Sequence, residues 1–373
     1  MRVLHFYSYY HPDTFGGGEQ LINGICRGAA VYGVQSTVLT LSNHPDPVEL
    51  EVDGHRVVRC KIDFSIRSNR FSFGAIGRLR ELAGEADVLN YHYPWPFGDF
   101  AHFCAGIRKP FVVSYLSDIV KQKLLATLYR PLQNRFLGAA DAIVATSPNY
   151  LATSEVLQRY RDKVRLIPIG LDPDEYRPAP AALKARWQAE LGGRFFLFVG
   201  VLRYYKGLEY LLEAVRGTGI PVVIVGSGPM QATLHRQARL LGLDQVRFLG
   251  RVDEADKRVL LELCYGLVFP SHLRSESFGV SLLEAACYGK PLVSCEIGTG
   301  TSYVNAHGIT GLVIKPADAA ELRAALRRLW DDPALASELG RHARERFLEL
   351  FQAGDMAAKY VRLYEEVARK HIG

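Results

Sequence analysis

Apolar residues in this chain fall in short blocks rich in Val, Ile, Leu and Phe, each followed by a stretch of helical length. In the first half the blocks read "RVLHFYS", "STVLTL", "DVLNYH", "FVVSYL", "AIVATS" and "VRLIPIG". A polar, proline-rich passage, "GLDPDEYRPAPAALKARW", interrupts them, and the pattern then restarts with "FFLFVG", "PVVIVGSG", "VRFLG", "YGLVFPS", "KPLVSCE" and "TGLVIKP". Strand followed by helix, repeated, predicts parallel sheets with helices on their faces. From Asp318 onward only helical periodicity remains, as in "ELRAALRRLW" and "AAKYVRLYEEVARK". The expected fold is α/β: two doubly wound domains, residues 1–172 and 173–350, with closing C-terminal helices and a last helix, 351–373, packed back on the first domain. Ligands of such sheets bind at the carboxyl ends of the strands, so the expected site is a cleft between facing domains.

Composition agrees with two cores. At 373 residues, 48% hydrophobic and 23% charged, the chain is an ordinary globular protein too long for one core. It has no apolar run of membrane-spanning length, and its start, "MRVLHFYSYYHPD", is unlike a signal peptide, so a cytoplasmic location is expected. The six cysteines show no C-x-x-C spacing, which suits reduced thiols better than disulfides or zinc. The net charge of +6 is unevenly placed: Arg56 to Arg135 holds 13 Lys/Arg against 6 Asp/Glu, interleaved with aromatic residues. That stretch fits either peripheral contact with an anionic membrane or a solvated charged face. No nucleic-acid-binding signature accompanies it.

The residues with chemical promise follow predicted strands. Gly16, Gly17 and Gly18 separate the first strand from a helix opening near Glu19, where bare backbone can approach an anion, or where the chain simply turns. The spacing is not that of a dinucleotide fingerprint. Arg203 and Lys206 in "GVLRYYKG" and the amides of "GSGP", including Gly228, converge on one sheet edge. They read as a diphosphate clamp or, taken singly, as solvated loop cations. Glu276 and Glu284 in "SESFGVSLLEA" are eight residues apart, about 12 Å along a helix. Paired glycosidase carboxyls lie about 5 to 9.5 Å apart, so that role is disfavoured. Glu276 precedes a helix expected to begin near Phe278 and Glu284 lies within it, so different tasks are expected: sugar contact for the first and a ribose diol for the second, against a helix cap plus an unrelated glutamate. The single D-x-D, Asp172 and Asp174, falls in the linker and reads as a turn rather than a metal site.

The ordered set "GGGEQ", "LRYYKGLEYLLEA", "VGSGP", "FLGRV", "PSHLRSESFGVSLLEAACYGKPLVS" and "TGLVI" resembles the retaining glycosyltransferases of family GT4, which have the GT-B fold of two Rossmann-like domains facing across a cleft. "SCEIGTGTSYVN", "YLSDIVKQKLL" and "ATSPNYL" are further similar to bacterial mannosyl- and rhamnosyltransferases that build surface polysaccharide of the O-antigen type on a lipid carrier. The resemblance implies that Arg203 and Lys206 neutralise the donor diphosphate, Glu284 holds the ribose, and Glu276 with the Phe278 and Gly279 amides meets the transferred sugar. It places Gly17 and Gly18 against the phosphates, Arg251 and Val252 beside the base, His92 near the reacting sugar, and Ser117 and Asp118 on the acceptor side. Two positions depart from many relatives: Val201 and Leu116 stand where those have Arg and His. The implied activity needs no metal and no cofactor beyond a nucleotide-sugar co-substrate, GDP-linked in this reading, and passes mannose or D-rhamnose to a polyprenyl-diphosphate-linked or oligosaccharide acceptor. The rivals are a UDP-sugar-dependent transferase, a nucleotide-sugar epimerase of the same fold, and a non-catalytic sugar-nucleotide sensor.

Overall fold

The computed structural model describes residues 1–14, 16–66, 69–119 and 123–371, without the side chains of 123–127. The chain forms two compact units, Met1–Gly170 with Ala353–Gly373, and Leu171–Gln352. Strands of the first unit are β1 (Arg2–Phe6), β2 (Gln35–Ser42), β3 (Glu49–Val52), β4 (His55–Lys61), β5 (Phe64–Ile66), β6 (Asn69–Phe71), β7 (Val88–Tyr93), β8 (Phe111–Tyr115), β9 (Ala142–Ala145) and β10 (Val164–Leu166). Among the described residues eight of them form one sheet in the order β10-β9-β8-β7-β1-β2-β4-β3, and β5 pairs with β6 as a separate ribbon. Only β3 against β4 is antiparallel within the large sheet. The second unit holds β11 (Phe196–Val199), β12 (Val222–Val225), β13 (Val246–Gly250), β14 (Gly266–Phe269), β15 (Leu292–Cys295) and β16 (Gly311–Ile314). Their order is β13-β12-β11-β14-β15-β16, parallel throughout. The blocks of β11, β12 and β14 are unbroken apolar runs, as expected of parallel strands covered on both faces. The eight residues of β11 and β12 are all buried.

The passage expected as a linker is mostly part of the second unit. It contains the helix Ala181–Leu191, whose Trp187 is buried and donates its indole N–H to Asp256 at 2.7 Å. The chain passes between units at 170/171 and again at 352/353. The helix Ala353–Lys370 packs on the first sheet, where the Tyr364 hydroxyl accepts from Asn90 at 2.7 Å and Tyr360 bonds Ser114 at 3.0 Å. A Cβ on Gly28 would lie 2.4 Å from that of Ala357, so this contact needs glycine on the facing helix Gly17–Ala30. Asp172 does start a turn: its carboxylate accepts from the Asp174 amide at 3.0 Å.

The basic surplus of Arg56–Arg135 divides between internal contacts and an exposed share that includes Lys61, Arg108 and Arg135. Arg59 is buried and bonds Asp13 and the Pro47 carbonyl, Arg70 bonds the carbonyls of Ser8 and Leu41, and Arg80 those of Cys104 and Ala105. Arg56 and Arg78 both pair with Glu49. Lys109 and Arg130 are exposed; Lys121 and the side chain of Lys123 lie outside the described residues. Among the described residues no helix is long and apolar enough to cross a membrane.

Buried Asp99, on the helix Pro96–Cys104, accepts a hydrogen bond from Tyr129, and burial, opposed by that bond, pushes its carboxyl up to about 8. The native state therefore keeps a proton that the unfolded chain gives up near pH 4, and stability contributed by this group is lost as pH rises through about 4 to 8. Melting temperatures measured across that window should fall with pH in the native protein and fall less steeply in Asp99→Asn. An equal slope in both would exclude Asp99 as the source.

Candidate active site

The strand order of the second sheet reverses between β11 and β14, the two central strands, and in sheets of this kind a crevice opens beyond the carboxyl ends at such a point. The loops at that edge are stitched together by backbone bonds. Leu202 donates to Ser227, Gly226 to Gly250, His272 to Tyr205 and Gly300 to Ser277, at 2.7 to 3.0 Å. Two glycines make this possible. Gly207 has φ +68°, and a Cβ there would fall 2.0 Å from the Pro270 carbonyl oxygen; one on Gly228 would fall 2.6 Å from that of Leu202.

Lys206 comes from the turn after β11 and Glu276 from the loop after β14, so the sheet topology brings them together at the reversal point. Lys206 Nζ lies 2.5 Å from Glu276 Oε2, and the Ser271 hydroxyl donates to the same oxygen at 3.3 Å. Lys206 is only 9% exposed, with Nζ 4.5 Å from the Phe269 ring centroid and 5.5 Å from that of Tyr205. A charge pair between apolar walls interacts strongly with any further anion or hydroxyl that enters. Arg203, just before the Tyr204–Lys206 turn, is exposed.

The helix after this loop runs Val280–Cys287, beginning two residues later than expected. Gly279, at φ 89°, is its N-cap, and Phe278 is a core residue whose ring packs 6.1 Å from that of Phe351. Only the backbone of Phe278 is thus available to a ligand. Glu284, inside the helix, is 3% exposed, and its Oε1 accepts from Lys257 Nζ at 2.7 Å and the Tyr176 hydroxyl at 3.1 Å. The glutamates therefore serve two separate ion pairs. Lys257 and Tyr176 escape sequence reasoning, although Lys257 shares the spacing of buried Leu260, Leu261 and Cys264 on one helical stripe, where a lysine is anomalous. Arg251 and Val252 follow β13, the first exposed and the second part-buried.

In the first unit Gly17 opens the helix after β1, and a Cβ on Gly18 would sit 3.1 Å from the Tyr7 hydroxyl. His92, which the resemblance places near the reacting sugar, is a buried residue of β7. It is 1% exposed in β7, its Nε2 lies 3.1 Å from Nδ1 of His5, and the rings stack at 5.4 Å. Burial first, then the neighbouring His5, holds it well below the usual histidine range, and burial takes His5 down to about 3. Both imidazoles are neutral at pH 7. Asp118 is engaged by its own fold: Oδ1 accepts from the Tyr115 and Ser154 hydroxyls at 2.8 and 2.7 Å, and its amide donates to Tyr150. Ser117 beside it is part-buried.

Residues 15–175 match the family described as Glycosyltransferase Family 4, and residues 181–346 that described as Glycosyl transferases group 1. The chain is 56% identical to the D-rhamnosyltransferase WbpZ of Pseudomonas aeruginosa, over 95% of this chain and 93% of that one. It is 46% identical to the O-antigen chain mannosyltransferase C of Escherichia coli, over 98% of both. Among solved structures it resembles sucrose-phosphate synthase from Thermosynechococcus elongatus, with a TM-score of 0.82 at 22% identity over 98% of each chain. It also resembles Anabaena HepE in complex with UDP-glucose, with a TM-score of 0.79 at 20% identity over 98% of this chain and 100% of that one. These likenesses are of fold, the GT-B arrangement of two Rossmann-like units.

Proposed function

The chain belongs to the family 4, group 1 glycosyltransferases, and from that premise we propose that it moves mannose or D-rhamnose from a GDP-sugar to a saccharide hydroxyl in surface polysaccharide assembly, with retention and without a metal ion. The observation that carries the reading is the Lys206–Glu276 pair, enclosed at the point where the strand order of the second sheet reverses. The bond from anomeric carbon to diphosphate oxygen breaks, the acceptor oxygen bonds to that carbon on the same face, and the acceptor proton passes to the departing diphosphate. Charge then grows on the diphosphate, where Lys206, Arg203 and the edge amides of Gly228 and Gly279 stabilise it. Glu276 accepts from hydroxyls of the sugar, Glu284 from those of the ribose, and Arg251 and Val252 flank the base. Gly17 and Gly18 supply amides to the phosphates. His92, 1% exposed and stacked on His5, supports the strand from within and makes no sugar contact in this reading. On the acceptor side Ser117 remains in this reading, whereas Asp118 holds its loop in shape. The relatives' sugars support the manno-configured choice.

Nucleotide release from GDP-mannose, GDP-rhamnose and UDP-glucose, with and without a mannose- or rhamnose-terminated oligosaccharide, tests the proposal. Acceptor-stimulated release of GDP is expected. Preferred turnover of UDP-glucose would overturn the donor, acceptor-independent isomerisation would favour an epimerase, and binding without turnover a sensor.

A lipid-linked acceptor and peripheral membrane contact complete the reading. Besides the exposed Arg108, Lys109, Arg130 and Arg135, the supporting surface is the β5–β6 ribbon, where exposed Phe64 stacks on Phe71 at 4.7 Å and Ile66 and Phe73 are exposed beside it. Aromatic and aliphatic tips near cations suit the headgroup boundary. Co-sedimentation with anionic vesicles should weaken in Phe64→Ser/Phe73→Ser and in Arg130→Ser/Arg135→Ser, and the electrostatic share should vanish in about 0.5 M salt. No sedimentation of the native protein at low salt would exclude membrane contact.

A further inference from the structure

Lys257 and Tyr176 do nothing in the reaction as written, yet both are aimed at one buried oxygen. Lys257, 9% exposed, rises from the helix Glu254–Leu263 that crosses from β13 to β14, and Tyr176 ends the short turn Pro173–Tyr176. Their donors meet at Glu284 Oε1, 2.7 and 3.1 Å away. Glu254, one helical turn before Lys257, holds the ammonium from the other side at 2.8 Å. Arg258 lies over the Tyr176 ring, 5.6 Å from its centroid, and the Tyr288 ring meets that of Tyr176 at 5.9 Å, so the phenol is itself confined.

A glutamate side chain has three rotatable bonds, and one left to itself on a helix would sample several positions. Here a cation and a phenol fix Oε1, and the charge of Lys257 offsets the cost of keeping a carboxylate away from water. Because both donors use Oε1, the lone pairs of Oε2 are those a vicinal diol would find. We propose that Lys257 and Tyr176 are positioning residues for nucleotide recognition, orienting the Glu284 carboxylate that accepts from the ribose diol of the donor. The inference rests on the role given above to Glu284.

The test compares affinities for GDP and for 2′,3′-dideoxy-GDP, which lacks both hydroxyls, by calorimetry on the native protein, Lys257→Met and Tyr176→Phe. A site built around a diol discriminates against its absence, so the native protein should favour GDP by about tenfold or more. In Lys257→Met that preference should shrink to about twofold through loss of GDP affinity, with dideoxy-GDP affinity unchanged, and Tyr176→Phe should fall between. A residue serving only the fold would weaken both nucleotides alike. If the native preference is present and both variants keep it, the positioning role is overturned while Glu284 retains the diol. If the native protein shows no preference, the role of Glu284 fails and this one with it. Should Lys257→Met not fold, Tyr176→Phe, which loses one hydroxyl, decides the matter.

Discussion

Replacing Lys206 with Ala is expected to lower the transfer rate by about 10² to 10³-fold, the scale of removing one preorganised donor from a developing anion. The effect is that large because Nζ sits between the Phe269 and Tyr205 rings, where little water competes for the charge. The substitution also strips Glu276 of its cation at 2.5 Å, so a drop in melting temperature should accompany it. Lys206→Met combined with Glu276→Gln removes both charges and should recover the melting temperature without recovering the rate. Initial rates and thermal melts on the three proteins separate the two effects. A folded Lys206→Ala protein with near-native turnover would remove Lys206 from the mechanism.

The two glutamates should fail in different ways. Glu284→Gln turns an acceptor-only group, already engaged by Lys257 and Tyr176, into an amide, so GDP binding should weaken about tenfold or more. Glu276→Gln should leave GDP affinity within about twofold and slow transfer about 100-fold, because its partner group belongs to the sugar rather than the nucleotide. Calorimetry with GDP and steady-state rates with donor give the comparison. Equal losses of GDP affinity would mean that the carboxylates do not divide the donor between them.

β11, β12 and β14 stand in the sequence as apolar blocks, since a buried parallel strand has no polar face to interrupt it, whereas the edge strand β13 carries exposed Arg247. The candidate residues were legible because each follows such a block. Their partners were not. Lys206 and Glu276 are 70 residues apart, and only the strand order makes them neighbours. The burial of His92 depends on His5, 87 residues earlier, and the internal engagement of Arg70 depends on carbonyls as distant as Ser8. Lys257 was hidden by its surroundings: in "DEADKRVLLEL" a lysine looks solvated until its place on the Leu260, Leu261 and Cys264 stripe is noticed. The helix opening at Val280 instead of Phe278 reflects a side chain drawn into the core before the helix begins.

The second unit interrupts the first in the chain, so the two units depend on the C-terminal segment unequally. Residues 171–352 are continuous and complete their own six-stranded sheet, whereas the first sheet waits for the helix Ala353–Lys370 to cover Asn90 and Ser114. Without that helix the first unit would show water a polar and apolar face meant for Tyr360 and Tyr364. A chain truncated after residue 352 would therefore keep the second unit whole and leave the first without its covering helix.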